Sequence, residues 1–225
     1  MARQHHFWDM DDTIIDQDCD VSWKEFLITK GLADPIDRKV AEGFFRDYQE
    51  GLLNEKAFLH FQLREFRGRA PREMEVLAEE HFQSLVKATV RADAFERIQA
   101  QIREGHQVYL LTATNRIVAM PVARYFGISQ VLATELELRA GCYTGQILGR
   151  YCAGEGKLAR LRHYCRSKSI NLAEIHYYGD SVSDIEVLQK VGHPVAVNPQ
   201  PGLRSRAQAE GWPVVEFGAA PGAVN

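Results

Sequence analysis

The apolar and polar positions follow two different rhythms along the chain. A short aromatic run, His6-Phe7-Trp8, opens it and predicts a strand, which stops abruptly at Asp9-Met10-Asp11-Asp12-Thr13. The spacing then turns helical for a long stretch. Residues 21–30 carry Trp23, Phe26 and Leu27 at helical spacing, with Gly31 as a stop, and residues 35–51 place Val40, Phe44 and Tyr48 on one face. Asn54 caps a third helix containing Phe58, Phe61, Leu63 and Phe66. After the break at 68–71, a fourth runs to about Lys87 through Met74, Leu77, Ala78, Phe82 and Leu85. Four consecutive amphipathic helices with no strand between them predict a helical insert with its own small core, its aromatic residues serving as packing.

From about Asp93 the two rhythms alternate. A helix through Phe95, Ile98 and Ile102 ends near Gly105. The run Gln107-Val108-Tyr109-Leu110-Leu111 then reads as a buried strand that stops at Thr112-Ala113-Thr114-Asn115. A helix over 117–126 and the strand start Val131-Leu132-Ala133-Thr134 follow. Segments 135–138 and 142–148 flank Arg139-Ala140-Gly141 as a β-hairpin. A helix over 157–168 leads to the strand Ile175-His176-Tyr177-Tyr178, which meets Gly179-Asp180. A helix over 182–191, a core strand over 194–197, an edge strand over 212–217 and a loose tail from Gly218 complete the pattern. Alternation of this kind predicts an α/β fold, a doubly wound parallel sheet with helices on both faces.

Composition narrows the function classes. Of 225 residues, 45% are apolar and 25% charged, enough for a sizeable core, and a net charge of −3 without a basic stripe argues against nucleic acid and anionic membranes as partners. Cys19, Cys142, Cys152 and Cys165 fit no common zinc spacing and are expected to be reduced thiols in a cytoplasmic protein. The start, Met1-Ala2-Arg3-Gln4-His5-His6, lacks the apolar stretch of a signal peptide, and no apolar run is long enough to span a membrane.

Asp is a poor strand residue, so a strand ending in Asp-x-Asp marks either a helix N-cap or a site. In a doubly wound sheet, ligands bind at the carboxyl ends of the strands. There the pattern gathers Asp9 and Asp11, the hydroxyl of Thr112, then Asp180 and Asp184. Lys157 follows the glycines of Gly154-Glu155-Gly156 at a helix start. Four carboxylates in one cleft are costly without a cation, and magnesium suits oxygen ligands. A lysine and a hydroxyl beside it would receive a phosphate, and a carboxylate in line is a competent nucleophile.

With these residues the chain resembles the haloacid dehalogenase superfamily, whose four motifs fall in order. They are Asp9-Met10-Asp11-Asp12-Thr13, the hydroxyl Thr112, Lys157, and Gly179-Asp180-Ser181-Val182-Ser183-Asp184. The hairpin Ala133-Thr134-Glu135-Leu136-Glu137-Leu138, followed by Gly141-Cys142-Tyr143-Thr144-Gly145, is similar to the phosphoserine phosphatase-like branch (subfamily IB hydrolases). That resemblance implies a Rossmann-like core over 1–15 and 89–225, with a helical cap over 16–88. It also implies a magnesium-dependent phosphatase working through an aspartyl-phosphate. Asp9 would be nucleophile and metal ligand. Asp11 would be acid and base and, through its carbonyl, a ligand, and Asp180 a ligand. Thr112, Ala113 and Lys157 would bind phosphate, and Asp184 would orient the shell or pair with Lys157. Asp11 favours a phosphatase or phosphomutase over the dehalogenases, which lack it, and over the transport ATPases, which place Thr there.

The structural readings are that Thr13 ties the turn and that Asp12 is solvated or caps a helix. The expected substrate is a small phosphorylated amino acid or amino alcohol, such as phosphoserine or histidinol phosphate. Asp18, Asp20 and Trp23 are the candidates to contact it, beside Asp16 in an acidic run whose other reading is a solvated loop. Phosphoserine phosphatases place a Glu on this segment to bind the substrate ammonium, and none stands there here. Arg46, Arg64, Arg67 and Arg116 are candidates to meet a substrate carboxylate. A phosphotransferase or phosphomutase, and a non-catalytic binding protein, are the alternative functions.

Overall fold

The computed structural model describes residues 3–49 and 51–220. Six parallel strands form one sheet in the order β3-β2-β1-β6-β7-β8. They are β1 (His5–Trp8), β2 (Gln107–Asn115), β3 (Gln130–Thr134), β6 (Ile175–Gly179), β7 (His193–Val197) and β8 (Val214–Val215). The intervening β4 (Leu136–Arg139) and β5 (Cys142–Ile147) make a separate antiparallel hairpin, turned by Ala140 and Gly141, both at positive φ. Four helices, α1 (Cys19–Thr29), α2 (Asp37–Gln49), α3 (Glu55–Leu63) and α4 (Pro71–His81), lie between β1 and β2 in chain order. The rest are α5 (Ala92–Arg103), α6 (Arg116–Tyr125), α7 (Gly154–Lys168), α8 (Ile185–Leu188) and α9 (Pro201–Glu210). The doubly wound α/β architecture is as the alternation predicts.

Successive residues of β1 serve opposite faces. Phe7 joins Tyr109, Leu158, Leu161 and Tyr177 in the layer beneath α7, whereas Trp8 joins Val118, Phe126 and Tyr178 on the other side. Trp23, Phe26, Phe66, Met74 and Phe82 of the four-helix segment belong to that second cluster. The separate small core expected for the insert is therefore not separate. The end of α4 packs on α1 through His81 against Trp23 and Phe26, and also on α6, with the rings of Phe82 and Tyr125 5.5 Å apart and Arg124 paired with Glu79, so its apolar stripe joins the insert to the sheet layer.

Three further differences are local. The chain folds α9 where no helix is predicted, although Pro201 at its start and Gly211 in the left-handed conformation just after it are its signals. The helix over 182–191 is broken into a 3₁₀ turn (Val182–Asp184) and the single turn of α8, because Asp184 turns its carboxylate back onto the strand end. The tail from Gly218 is tied as far as it is described. Gly218 accepts from Arg91, and Ala220 donates its N–H to Asp16. Residues 221–225, like Met1 and Ala2 of the N-terminal stretch, lie outside the described residues. No described helix is long and apolar enough to cross a membrane.

At the amino end of the sheet, His6, His176 and His193 stand in register on β1, β6 and β7, and their rings stack at 4.6 Å and 4.2 Å. Burial, with His176, His106 and Arg97 nearby, holds His6 down at about 3. Burial and His193 hold His176 at about 4. The unfolded imidazoles take up protons near pH 6.5 and the folded ones do not. The unfolded state thus binds more protons between pH 6.5 and about 4, and this stack costs stability as pH falls through that window. His176→Leu is expected to reduce the fall in urea midpoint across the window; an unchanged pH slope would refute the assignment.

Candidate active site

The carboxyl end of β1 lies at the centre of the sheet between those of β2 and β6. The last ladder bond is Asp9 N–H to Tyr178 O, at 2.8 Å, and the backbone then coils. The N–H groups of Ile14 and Ile15 both return to Met10 O, and Asp12 takes a left-handed conformation at φ 54°. This tight turn raises three consecutive-but-one side chains over the sheet edge. Thr13 ties the turn to β6, its Oγ1 donating to Asp180 Oδ1 at 3.2 Å.

Lys157, in the first turn of α7, is completely buried and bridges two carboxylates, donating to Asp9 Oδ1 at 2.8 Å and Asp184 Oδ1 at 2.6 Å. Asp184 is saturated. Its Oδ1 also accepts from Tyr177 Oη at 2.5 Å, and its Oδ2 accepts the N–H groups of Asp180 and Ser181. A Cβ on Gly179 would meet that carboxylate at 2.5 Å, so the Gly-Asp pair needs its glycine. Burial alone would depress Lys157, but the charges of Asp184 and Asp9 outweigh it and hold the ammonium well above its ordinary range.

Carboxylate oxygens of Asp9, Asp180 and Asp184 all lie within 4.8 Å of one another. Against three carboxylates stands one ammonium. Asp180 has only neutral side-chain donors, Thr13 and, at 3.4 Å, Gln200, and burial with Asp9 and Asp184 raises its carboxyl well above the usual range. Burial also lifts Asp9, to about 6, against the pull of Lys157. This all-oxygen set with excess negative charge fits a hard divalent cation, with Asp9 and Asp180 offering unsaturated oxygens and Asp184 already committed to Lys157.

The Asp11 carboxylate stands apart from that trio. Its Oδ1 accepts from Cys19 N–H at 2.8 Å and its Oδ2 from Thr114 Oγ1 at 2.6 Å. Burial, then the charge of Asp18, drives its carboxyl well above the usual carboxylate range. Thr112 is fully buried and its Oγ1 accepts from Thr114 N–H; the residues of this strand end that line the cleft are Ala113 and Thr114.

The cleft has the aspartates as its floor and α1, α2 and α3 as its far wall. Asp18 caps α1, accepting the N–H groups of Asp20 and Val21, and Asp20 accepts from Gln62 Nε2 at 3.2 Å. Both carboxylates line the cleft. Burial raises both, Asp20 to about 7 with Asp18 adding to it. Their neighbour Asp16 instead pairs with Arg91 outside the cleft.

Four expectations are corrected. Trp23 does not reach the cleft; it is fully buried among Phe26, Phe66 and His81, because it falls on the inner face of α1. Asp12 is neither freely solvated nor a helix cap but lines the cleft, partly exposed, and burial pushes it to about 7. None of the four candidate arginines lines it: Arg64 pairs with Asp37 and Glu65, and Arg116 grips Glu135. The aromatic residues of the insert are not all packing, since Phe44, Phe45, Phe58 and Phe61 line the cleft. Tyr48, Gln62, Thr114, Tyr151 and Gln200 line it too and were not singled out, although Tyr48 shares a helical face with Phe44. Lys157→Met should cost roughly 3–5 kcal/mol in urea unfolding, since it strands buried carboxylates without their ammonium. A loss below about 1 kcal/mol would mean that the bridge is not what holds the edge together.

Comparison with known proteins agrees with this geometry. The family model for haloacid dehalogenase-like hydrolases matches residues 6–189. A histidinol-phosphatase of Neisseria meningitidis is 34% identical over 218 residues, covering 93% of this chain and 97% of that one. A solved structure of a protein of unknown function from Bordetella pertussis superposes with a TM-score of 0.87 at 33% identity, covering 96% and 99% of the two chains. A substrate-bound phosphoserine phosphatase shares the fold, with a TM-score of 0.71 at 17% identity and coverage of 96% and 93%. With its motif residues gathered at one sheet edge, the chain belongs to the haloacid dehalogenase-like hydrolase family and is an enzyme of its phosphatase type.

Proposed function

We propose that this chain is a magnesium-dependent phosphomonoester hydrolase that acts through an aspartyl-phosphate on a small amino alcohol phosphate, with histidinol phosphate the leading candidate. The observation that carries the reading is the division of labour between two aspartates two residues apart. Asp9 is gripped by the Lys157 ammonium at 2.8 Å, whereas Asp11 accepts only from the neutral Cys19 N–H and Thr114 hydroxyl and has its carboxyl raised by burial.

In the first step an Asp9 carboxylate oxygen attacks phosphorus, the bond from phosphorus to the substrate oxygen breaks, and Asp11 delivers its proton to the leaving alkoxide. In the second, Asp11, now a carboxylate, takes a proton from water as that water attacks phosphorus. The acyl-phosphate bond breaks, and inorganic phosphate and the Asp9 carboxylate are released. Magnesium, held by Asp9 and Asp180 with the Asp11 carbonyl, would neutralise charge on the phosphoryl oxygens. Lys157 keeps Asp9 aimed and adds positive charge beside it. Thr112 has its acceptor side occupied by Thr114 N–H, so its proton is free to donate to a phosphoryl oxygen, next to the backbone of Ala113. Asp184 positions Lys157, and residues 16–88 serve as a cap over the cleft.

Substrate choice rests on the far wall. Asp18 and Asp20 with Phe44, Phe58, Phe61 and Tyr151 suit an ammonium carried near a flat ring. Among the described lining residues Lys157 is the one basic side chain, and it is committed to Asp9 and Asp184, so a substrate carboxylate finds no partner. That favours an amino alcohol phosphate over phosphoserine, in keeping with the Neisseria relative's name.

Phosphate release from a metabolite panel should be greatest with histidinol phosphate, and preference for phosphoserine or sugar phosphates would overturn the substrate assignment. Chelation should abolish turnover and added magnesium restore it. Asp9→Asn should remove activity toward every phosphoester, including an aryl phosphate. Asp20→Asn should raise KM for the amine substrate about 10-fold or more while changing aryl phosphate turnover little. The folded Asp20 carboxyl titrates near 7, above its unfolded value of 3.8, so its burial cost is fully present above pH 7 and absent below about 4. Asp20→Asn should therefore raise Tm by a few degrees at alkaline pH and lose that gain in acid.

A further inference from the structure

Tyr48 sits near the end of α2, and its hydroxyl leaves the four-helix segment altogether. It is 3.1 Å from Ser181 Oγ and 3.0 Å from Ser183 Oγ, and the two serine oxygens are 2.8 Å apart. The three hydroxyls close a triangle. Both serines lie in the turn between Asp180 and Asp184, and Ser181 contacts Asp184 through its N–H (3.2 Å) and its Oγ (3.4 Å). The other side-chain bonds described for α2, Arg38 to Glu25 and Asp37 to Arg64, stay within the four-helix segment. Among the described side-chain hydrogen bonds, α2 thus reaches the strand-end turn through a single phenol, at the wall of the cleft.

We infer that Tyr48 is a positioning residue, a latch whose hydroxyl couples the closed placement of α2 over the cleft to the placement of the turn carrying Asp180 and Asp184. The phenol suits this task. Burial and the charges of Asp180 and Asp184 keep it a neutral hydroxyl, able to donate to one serine and accept from the other. Phe44 lies one helical turn before Tyr48 and also lines the cleft, so the same helix face that encloses the substrate carries the latch. A substrate that fills the space beneath Phe44 therefore favours the latched state, and the latched state holds Ser181 and, through it, Asp184, the residue that orients Lys157. The coupling operates within the phosphatase reading given above, but the latch itself is a contact that can be measured without turnover.

The test is a double-mutant cycle on the whole chain with Tyr48→Phe, Ser183→Ala and the pair, read in two ways. The first reading is kcat/KM with an aryl phosphate and with the amine substrate. Each single change should lower it about 3- to 10-fold, the range of one hydrogen bond, mainly through kcat, and the double variant should be no worse than either single one. The second is hydrogen exchange of the resting protein. Amides over 37–49 should lose protection in all three variants while those of β1 and β6 keep theirs. Multiplicative effects, unchanged exchange over 37–49, or a loss of protection spread evenly over the chain would each overturn the latch. If the wild type hydrolyses no phosphoester but the exchange pattern behaves as expected, the phosphatase reading fails and the latch stands.

Discussion

One buried ammonium organises this molecule. Lys157 lies between Asp9 and Asp184 with its charge completely withdrawn from water. Such a bridge is tolerated only where hydrogen bonds meet the remaining lone pairs, and here they do, through Tyr177 Oη and the N–H groups of Asp180 and Ser181. The bridge spans β1, α7 and the turn after β6, so one contact fixes the relative height of three elements at the sheet edge. It also fixes the charge balance. A single lysine cannot offset Asp9, Asp180 and Asp184 together, and the surplus is what prepares the edge for a cation.

The surroundings divide the acidic residues by environment rather than by identity. Asp9 has an ammonium, Asp11 has only neutral donors, Asp18 spends its oxygen on a helix cap, and Asp16 pairs with Arg91 outside the cleft. Six aspartates within twelve residues at the start of the chain thus acquire different partners and different surroundings. The four-helix segment completes the division, since it shields Asp18 and Asp20 from water and surrounds them with aromatic rings. It is packed onto the sheet's second face through α4 and α6, whereas among the described side-chain hydrogen bonds α2 meets the turn after β6 by the Tyr48 hydroxyl.

Most of the architecture is legible in the linear pattern because each element carries its own punctuation. Asn54 does cap α3, the Ala140-Gly141 pair does turn the hairpin, and the strand runs 107–111 and 175–178 do pair with β1. The misses are places where a tertiary partner overrides local preference. The helix over 182–191 is shortened because Asp184 answers the strand-end N–H groups instead of solvent, and β2 continues to Asn115 through a register shift that no periodicity announces. Trp23, Phe44 and Phe58 are alike in a hydropathy pattern. Which of them faces the core and which the cleft depends on how the helices are rotated against the sheet.

The sequence by itself determined the identity and order of the candidate site residues: Asp9, Asp11, Thr112, Lys157, Asp180 and Asp184 stand at strand ends and a helix start whatever the packing, because strand and helix periodicity place them there. Only the tertiary structure decided their states and their neighbours. A carboxyl's pKa depends on burial and on charges a few ångströms away, and those come from residues as far apart in the chain as Asp9 and Lys157 or Tyr48 and Ser183. For the same reason the cleft wall built from Asp18, Asp20, Gln62 and the rings around them exists only once α1, α2 and α3 pack over the sheet edge.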